Sequence, residues 1–159
     1  MRSKNHRLIA ALAVALALCG CGNLTKSPAE GLTFKAPPDW HSSPGIMGMM
    51  QFWLSPDGKQ MLMLFKAPAD WKSDEAFSSA DMKDAHVEVQ RAITLCGNRP
   101  ATYTKAIATS SRTNNDANAE MILSKTADGT YMALYSYPIG TRPAPAAESA
   151  IYELCPAKT

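Results

Sequence analysis

The chain has 159 residues, 46% of them hydrophobic and 19% charged, which excludes a disordered protein and leaves length for one domain rather than two independent cores. Its formal charge of +2 comes from the N-terminus, because Arg2, Lys4 and Arg7 precede all fourteen acids and leave thirteen bases to balance them. A near-neutral chain without a Lys/Arg run lacks the counterion-releasing footprint of a nucleic-acid binder, so nucleic acid is not an expected partner.

Residues 1–7, MRSKNHR, are basic, and residues 8–18, LIAALAVALAL, form an unbroken apolar run. A membrane-spanning helix needs roughly 20 apolar residues, so this shorter run behind a positive end reads as an export signal over residues 1–20. The junction Leu18-Cys19-Gly20-Cys21 resembles the lipobox of bacterial lipoproteins, with Leu at −3, a small residue at −1 and the acceptor cysteine at +1. The resemblance implies cleavage before Cys21, lipid on its thiol and the membrane as a partner through that anchor. Cys19 departs from the small residue usual at −2, but as an acceptor it would have Leu18 at its own −1 position, which fits poorly. Gly22 stands where Asp favours inner-membrane retention in enteric bacteria, which implies an outer-membrane address facing the periplasm. Residues 21–30 read as a lipidated tether, of which residues 22–30 reach about 30 Å when extended, and residues 31–159 as one globular domain.

Once lipid occupies Cys21, Cys96 and Cys155 remain as a pair, and an even pair in an oxidising compartment reads as a disulfide. Closing a loop of this length stabilises a fold by up to about 4 kcal/mol in the chain-entropy account. Two separate buried thiols are the alternative.

The domain opens with GLTFKAPPDW, a short strand with Leu32 and Phe34 on one face, ended by Pro37-Pro38. MMQFWL and KQMLMLFKA flank SPDG, whose residue types suit a tight turn, and predict a hairpin. Alternating Met and Leu in MLMLF suit a strand buried on both faces. Ser73 can cap a helix running to about Ala85, with Asp74 and Glu75 at its positive end. From residue 87 the period becomes two: Val87, Val89, Ile93 and Leu95 point one way, and Glu88, Gln90 and Thr94 the other. The turn GNRP leads into ATYTKAIATS, the polar loop SRTNNDAN follows, and AEMILSK and TYMALYSYP form a second hairpin across TADG. Ala147, Ala150, Ile151, Leu154 and Cys155 fall on one face of a final helix, which a Cys96–Cys155 bond would staple to the sheet.

These elements predict an α+β domain, an antiparallel sheet of about six to seven strands packed by helices, with a core that draws on Met, Ala and Tyr because only four Phe are present. The order β, ββ, α, ββ, ββ, α resembles the PsbP-like fold. The entry GLTFKAPPDW, the centre ITLCGNRPATYTK and the final helix carry the resemblance over most of residues 31–156. Proteins of that fold bind diverse partners, so the resemblance implies architecture and no particular activity.

His41 and His86 are the histidines beyond the leader, neither at motif spacing to a Ser, Cys or acid, and the carboxylates scatter through surface-like contexts. No GxGxxG, P-loop, HExxH or GxSxG occurs, so neither an enzyme nor a cofactor is expected. Met47, Met49, Met50, Met61 and Met63 crowd two neighbouring segments, and soft thioethers can hold Cu(I), although Met is also a flexible core filler. Trp40, Trp53 and Trp71 read as core anchors or interface residues. The segment SSPGIMGMM offers Ile46, Met47, Met49 and Met50 as a loop that could dock an envelope protein or a small ligand. The expectation is a non-catalytic binding or accessory lipoprotein of the cell envelope, with a periplasmic Cu(I) carrier as the alternative.

Cys21→Ala should abolish incorporation of labelled fatty acid and leave the precursor uncleaved. If Cys21→Ala still takes label while Cys19→Ala does not, the junction is assigned one acceptor too late.

Overall fold

A computed structural model describes residues 32–33, 35–43, 50–67, 70, 77, 82–111, 113–126 and 129–156. The leader, Cys21, the tether, Phe34, Ile46, Met47, Met49 and Trp71 lie outside the described residues. The strands are β1 (Leu32–Thr33), β2 (His41–Ser43), β3 (Met50–Leu54), β4 (Met61–Ala67), β5 (Met82–Leu95), β6 (Arg99–Ser110), β7 (Asp116–Thr126), β8 (Gly129–Pro138) and β9 (Cys155–Pro156); helix α1 spans Pro145–Tyr152. Strands β2 to β8 form a seven-stranded sheet in the order β2-β3-β4-β8-β7-β6-β5, and β1 pairs with β9 in a separate ribbon. All of these pairings are antiparallel. The α+β architecture with a seven-stranded antiparallel sheet is the one expected.

Each hairpin forms where its turn chemistry allows. Between β3 and β4, Gly58 takes φ +68° and donates its N–H to the Ser55 carbonyl at 2.8 Å. Asp57 accepts from the Ser55 hydroxyl at 2.6 Å and from the Lys59 N–H at 3.1 Å, and these bonds hold its carboxyl below the usual carboxylate range. Between β5 and β6 a 3-10 turn, Cys96–Asn98, has Gly97 and Asn98 at positive φ.

The sheet is buried on both faces, and its register sorts two cores. On the first face Trp53, Leu62, Leu64, Ala133, Tyr135, Ile122 and Tyr103 pack with Trp40 beneath the Ala147, Ala150 and Ile151 face of α1. On the second, Met63, Met121, Met132, Leu134, Ala106, Ala108 and Ala119 pack with Met82 and Phe77. Met, Ala and Tyr do supply much of this interior, and Trp40 and Trp53 are core residues as expected. Strand β4 is sealed on both sides, with Leu62, Met63 and Leu64 at most 1% exposed.

Three local expectations are corrected. The helix predicted to reach Ala85 stops short, because strand β5 already begins at Met82; Phe77 is helical and buried, and the rest of that segment lies outside the described residues. Val87 and Val89 do not share an inward face. A register shift places Val87 opposite Ala106 and Val89 opposite Lys105, on opposite sides of the sheet, and both are more than 40% exposed at an edge strand. Finally, α1 ends at Tyr152, and Cys155 lies not on its face but in β9, opposite Thr33, where Pro156 cannot continue a helix.

Cys96 is disulfide-bonded, and β9, which begins at Cys155, lies against the turn that carries Cys96; this supports the Cys96–Cys155 pairing. Reduction should lower the melting temperature by roughly 10 °C. Peptide mapping of unreduced protein should recover a cross-linked Cys96 and Cys155 fragment, and two titratable thiols at these positions would exclude the bond.

Candidate functional site

Among the described residues, the positions named from sequence do not converge. His41 lies on β2 and His86 on β5, the two opposite edges of the seven-stranded sheet, and both are exposed. Among the described residues no group of three or more His, Cys, Asp or Glu is placed to hold a metal ion. Register places Met50 opposite Phe65, Met63 opposite Phe52 and Met61 opposite Leu54, so these three thioethers face the second core. Met63 is 1% exposed and acts as packing; Met50 and Met61 sit at opposite ends of the β3–β4 ladder, about 13 Å apart along the strands.

What the fold does assemble is a carboxylate enclosed by tyrosines on the α1 side of the sheet. Glu120 follows the same alternation as Ile122 on β7, so both point into the first core, and Glu120 is 3% exposed. Tyr103 on β6 donates its hydroxyl to Glu120 Oε2 at 3.0 Å, and Tyr137 on β8 donates to Oε1 at 2.9 Å. Each carboxylate oxygen therefore receives a buried phenol. Leaving such a group without donors costs several times the net value of an ordinary hydrogen bond, which is why both flanking strands supply one.

The phenols are themselves fixed by stacking. Tyr103 packs against Tyr152 of α1 with ring centres 5.7 Å apart, and the Arg91 guanidinium lies 5.0 Å from its ring centre. Tyr137 stacks on Tyr135 at 4.8 Å, and Trp40 is tilted against Tyr135 at 6.2 Å. The Tyr135 hydroxyl donates to Gln60 and accepts the Ala144 N–H at 2.8 Å, so it fastens the segment entering α1 to the sheet. Enclosed, with each oxygen accepting from a phenol, Glu120 acts as a polar rivet beneath the helix.

Reading the carboxylates as surface groups overlooked Glu120, and Tyr103 and Tyr137 with it. The available signal was the alternation of Glu120, Ile122 and Ser124 along one strand, facing a neighbour rich in tyrosine.

Burial raises the ionisation of all three phenols: the Tyr135 hydroxyl is pushed up to about 12, and Tyr103 and Tyr137 go higher still, with the adjacent Glu120 charge adding to the shift. An unfolded tyrosine ionises near 10, so the unfolded state releases protons that the folded state keeps. The resulting stability is complete below about pH 10 and is lost as pH rises toward and beyond 12. Absorbance at 295 nm should show these three tyrosines ionising together with loss of near-ultraviolet circular dichroism, whereas their ionisation well before unfolding would show that the cluster is open.

No protein-family model matches the sequence, and no curated protein is significantly similar to it. Solved structures do share its fold. One, from Bacteroides thetaiotaomicron, aligns with a TM-score of 0.53 at 17% identity over 83% of this chain, which spans 47% of that longer protein. Another, a Pseudomonas aeruginosa protein of unknown function, aligns with a TM-score of 0.53 at 12% identity, covering 80% of this chain and 99% of its own. At such identities the likeness concerns the α+β sheet architecture alone.

Proposed function

We propose that this chain is a non-catalytic binding or accessory lipoprotein of the cell envelope, anchored through Cys21 and engaging its partner by backbone pairing along the open edge of β5. The observation that carries the binding reading is that edge. Strand β5 is 14 residues long, ends the sheet, and is exposed continuously from Lys83 to Ala92, including the apolar Val87 and Val89. An edge of this length displays a row of unpaired backbone donors and acceptors, the template to which an extended segment of another chain adds as a new strand. Its two register shifts interrupt the ladder near Asp84 and Glu88, and from Val89 to Leu95 the pairing with β6 is regular.

The same reading draws on the basic and apolar N-terminus and the lipobox resemblance for its address, and on the PsbP-like resemblance for an architecture used for diverse binding. The strongly buried carboxylate among the described residues, Glu120, is held by two tyrosines beneath α1.

The test uses lipidated protein recovered with cross-linked neighbours from native membranes. A Val87→Lys, Val89→Lys double variant should melt within about 0.5 kcal/mol of the parent and lose the partner, while Cys21→Ala should lose both membrane and partner. Unchanged recovery with the edge variant, together with loss on substituting Ile46 and Met47, would move the binding surface to the β2–β3 connection. A measurable reaction abolished by His41→Ala or His86→Ala with fold intact would replace the binding reading with an enzymatic one.

A further inference from the structure

We propose that Arg99 and Ser124 form a binding site for a small free oxyanion on the α1 side of the sheet, at the end where β6 begins. It does not depend on the envelope reading or on the β5 edge.

Two polar groups there are buried without a hydrogen-bond partner among the described residues: Arg99 Nη1 and Ser124 Oγ. Ser124 is fully buried, at 0% exposure, in the interior of β7. The register places both on one face. Ala101 pairs with Ser124, and Arg99 precedes Ala101 by two residues on the same strand, so Arg99 projects from the same side of β6, diagonal to Ser124. Diagonal neighbours of this kind lie about 7 Å apart at the backbone, well within the reach of an arginine side chain.

A cation, Lys66, stands in the row of residues that crosses the sheet at this level. The row across the sheet at this level runs Ala101, Ser124, Tyr131, Lys66, with the Lys66 ammonium 5.8 Å from the Tyr131 ring centre. The acid nearest along β7 on this face is Glu120, two alternations away, and both of its oxygens already accept from tyrosines. A guanidinium nitrogen buried without an acceptor is costly, and folded proteins keep such donors where something pairs with them. Guanidinium and hydroxyl donors together fit the two oxygens of a carboxylate or two of the oxygens of a phosphate. Arg99 as a whole is half-buried while its Nη1 is covered, so this residue joins the surface to the interior where β6 begins.

The experiment titrates the full-length protein in detergent with inorganic phosphate and, separately, with acetate, at constant ionic strength near pH 7, and reads heat and melting temperature. One of the two anions should bind saturably, and Ser124→Ala and Arg99→Gln should each weaken it by about tenfold or more, as loss of a charge-assisted or buried hydrogen bond does. Arg99→Lys should recover part of the binding. A second reading separates a ligand site from a merely structural arginine: Arg99→Met should raise the melting temperature without anion and abolish the anion-dependent rise, because it removes a charge that only the ligand compensates. Heat that is linear in anion, binding unchanged in both variants, or Arg99→Met melting below the parent would overturn the proposal. So would a crystal structure in phosphate or acetate showing only water between Arg99 and Ser124. If Arg99 variants fail to fold, Ser124→Ala decides alone, since it removes one oxygen from a packed strand.

Discussion

A strand buried on both faces cannot be stable in a lone sheet, because water would meet whichever apolar side chains were left uncovered. Strand β8 sets that condition here: every residue from Thr130 to Tyr135 is buried, with Ala133 and Tyr135 in one core and Met132 and Leu134 in the other. Helix α1 with Trp40 answers on one side, and Phe77 and Met82 on the other. The order of the sheet follows from the same demand. β8 lies at its centre, the strands shorten or become exposed toward β2 and β5, and His41 and His86 stand at opposite edges.

Polar groups inside such a sandwich must be satisfied from within it, and the fold does so unevenly. Glu120 receives a phenol from each neighbouring strand, and those phenols are pinned by Tyr152, Tyr135 and Arg91, so the helix and sheet share one hydrogen-bonded and stacked assembly. Arg99 and Ser124, on the same face, receive nothing comparable among the described residues. That contrast separates a polar group retained for structure from one retained for something that arrives from outside.

Much of the architecture was readable because its signals are local. SPDG fixes the β3–β4 turn, TYMALYSYP and AEMILSK carry the β7–β8 pairing, and Ala147, Ala150 and Ile151 mark the buried face of α1. What escaped was decided by neighbours rather than by pattern. β2, His-Ser-Ser, has no apolar residue and exists because β3 offers it a ladder; β9 holds a two-residue pairing that no periodicity announces. Val87 and Val89 look inward by alternation, yet a register shift between them splits the pair, and among the described residues no strand pairs beyond β5. Glu120 was illegible as a buried group because its burial depends on Tyr103 and Tyr137, 17 residues away on either side. The methionine segment was read as a possible ligand set from composition, while the register shows what Met63 does, which is to fill the second core opposite Phe52.

The β1–β9 ribbon also determines how mechanical load enters the molecule. The chain preceding Leu32 is attached to the fold through Leu32 opposite Pro156 and Thr33 opposite Cys155, so tension on the N-terminal side is delivered to the far end of the polypeptide. From β9 it passes both to the turn at Cys96, at the root of the β5–β6 hairpin, and through Glu153-Leu154 to the end of α1. Two rungs of backbone pairing yield easily when peeled, whereas a covalent link at this turn would spread the same pull over two of the longest strands in the sheet. The first place to give way would be the ribbon rather than either core.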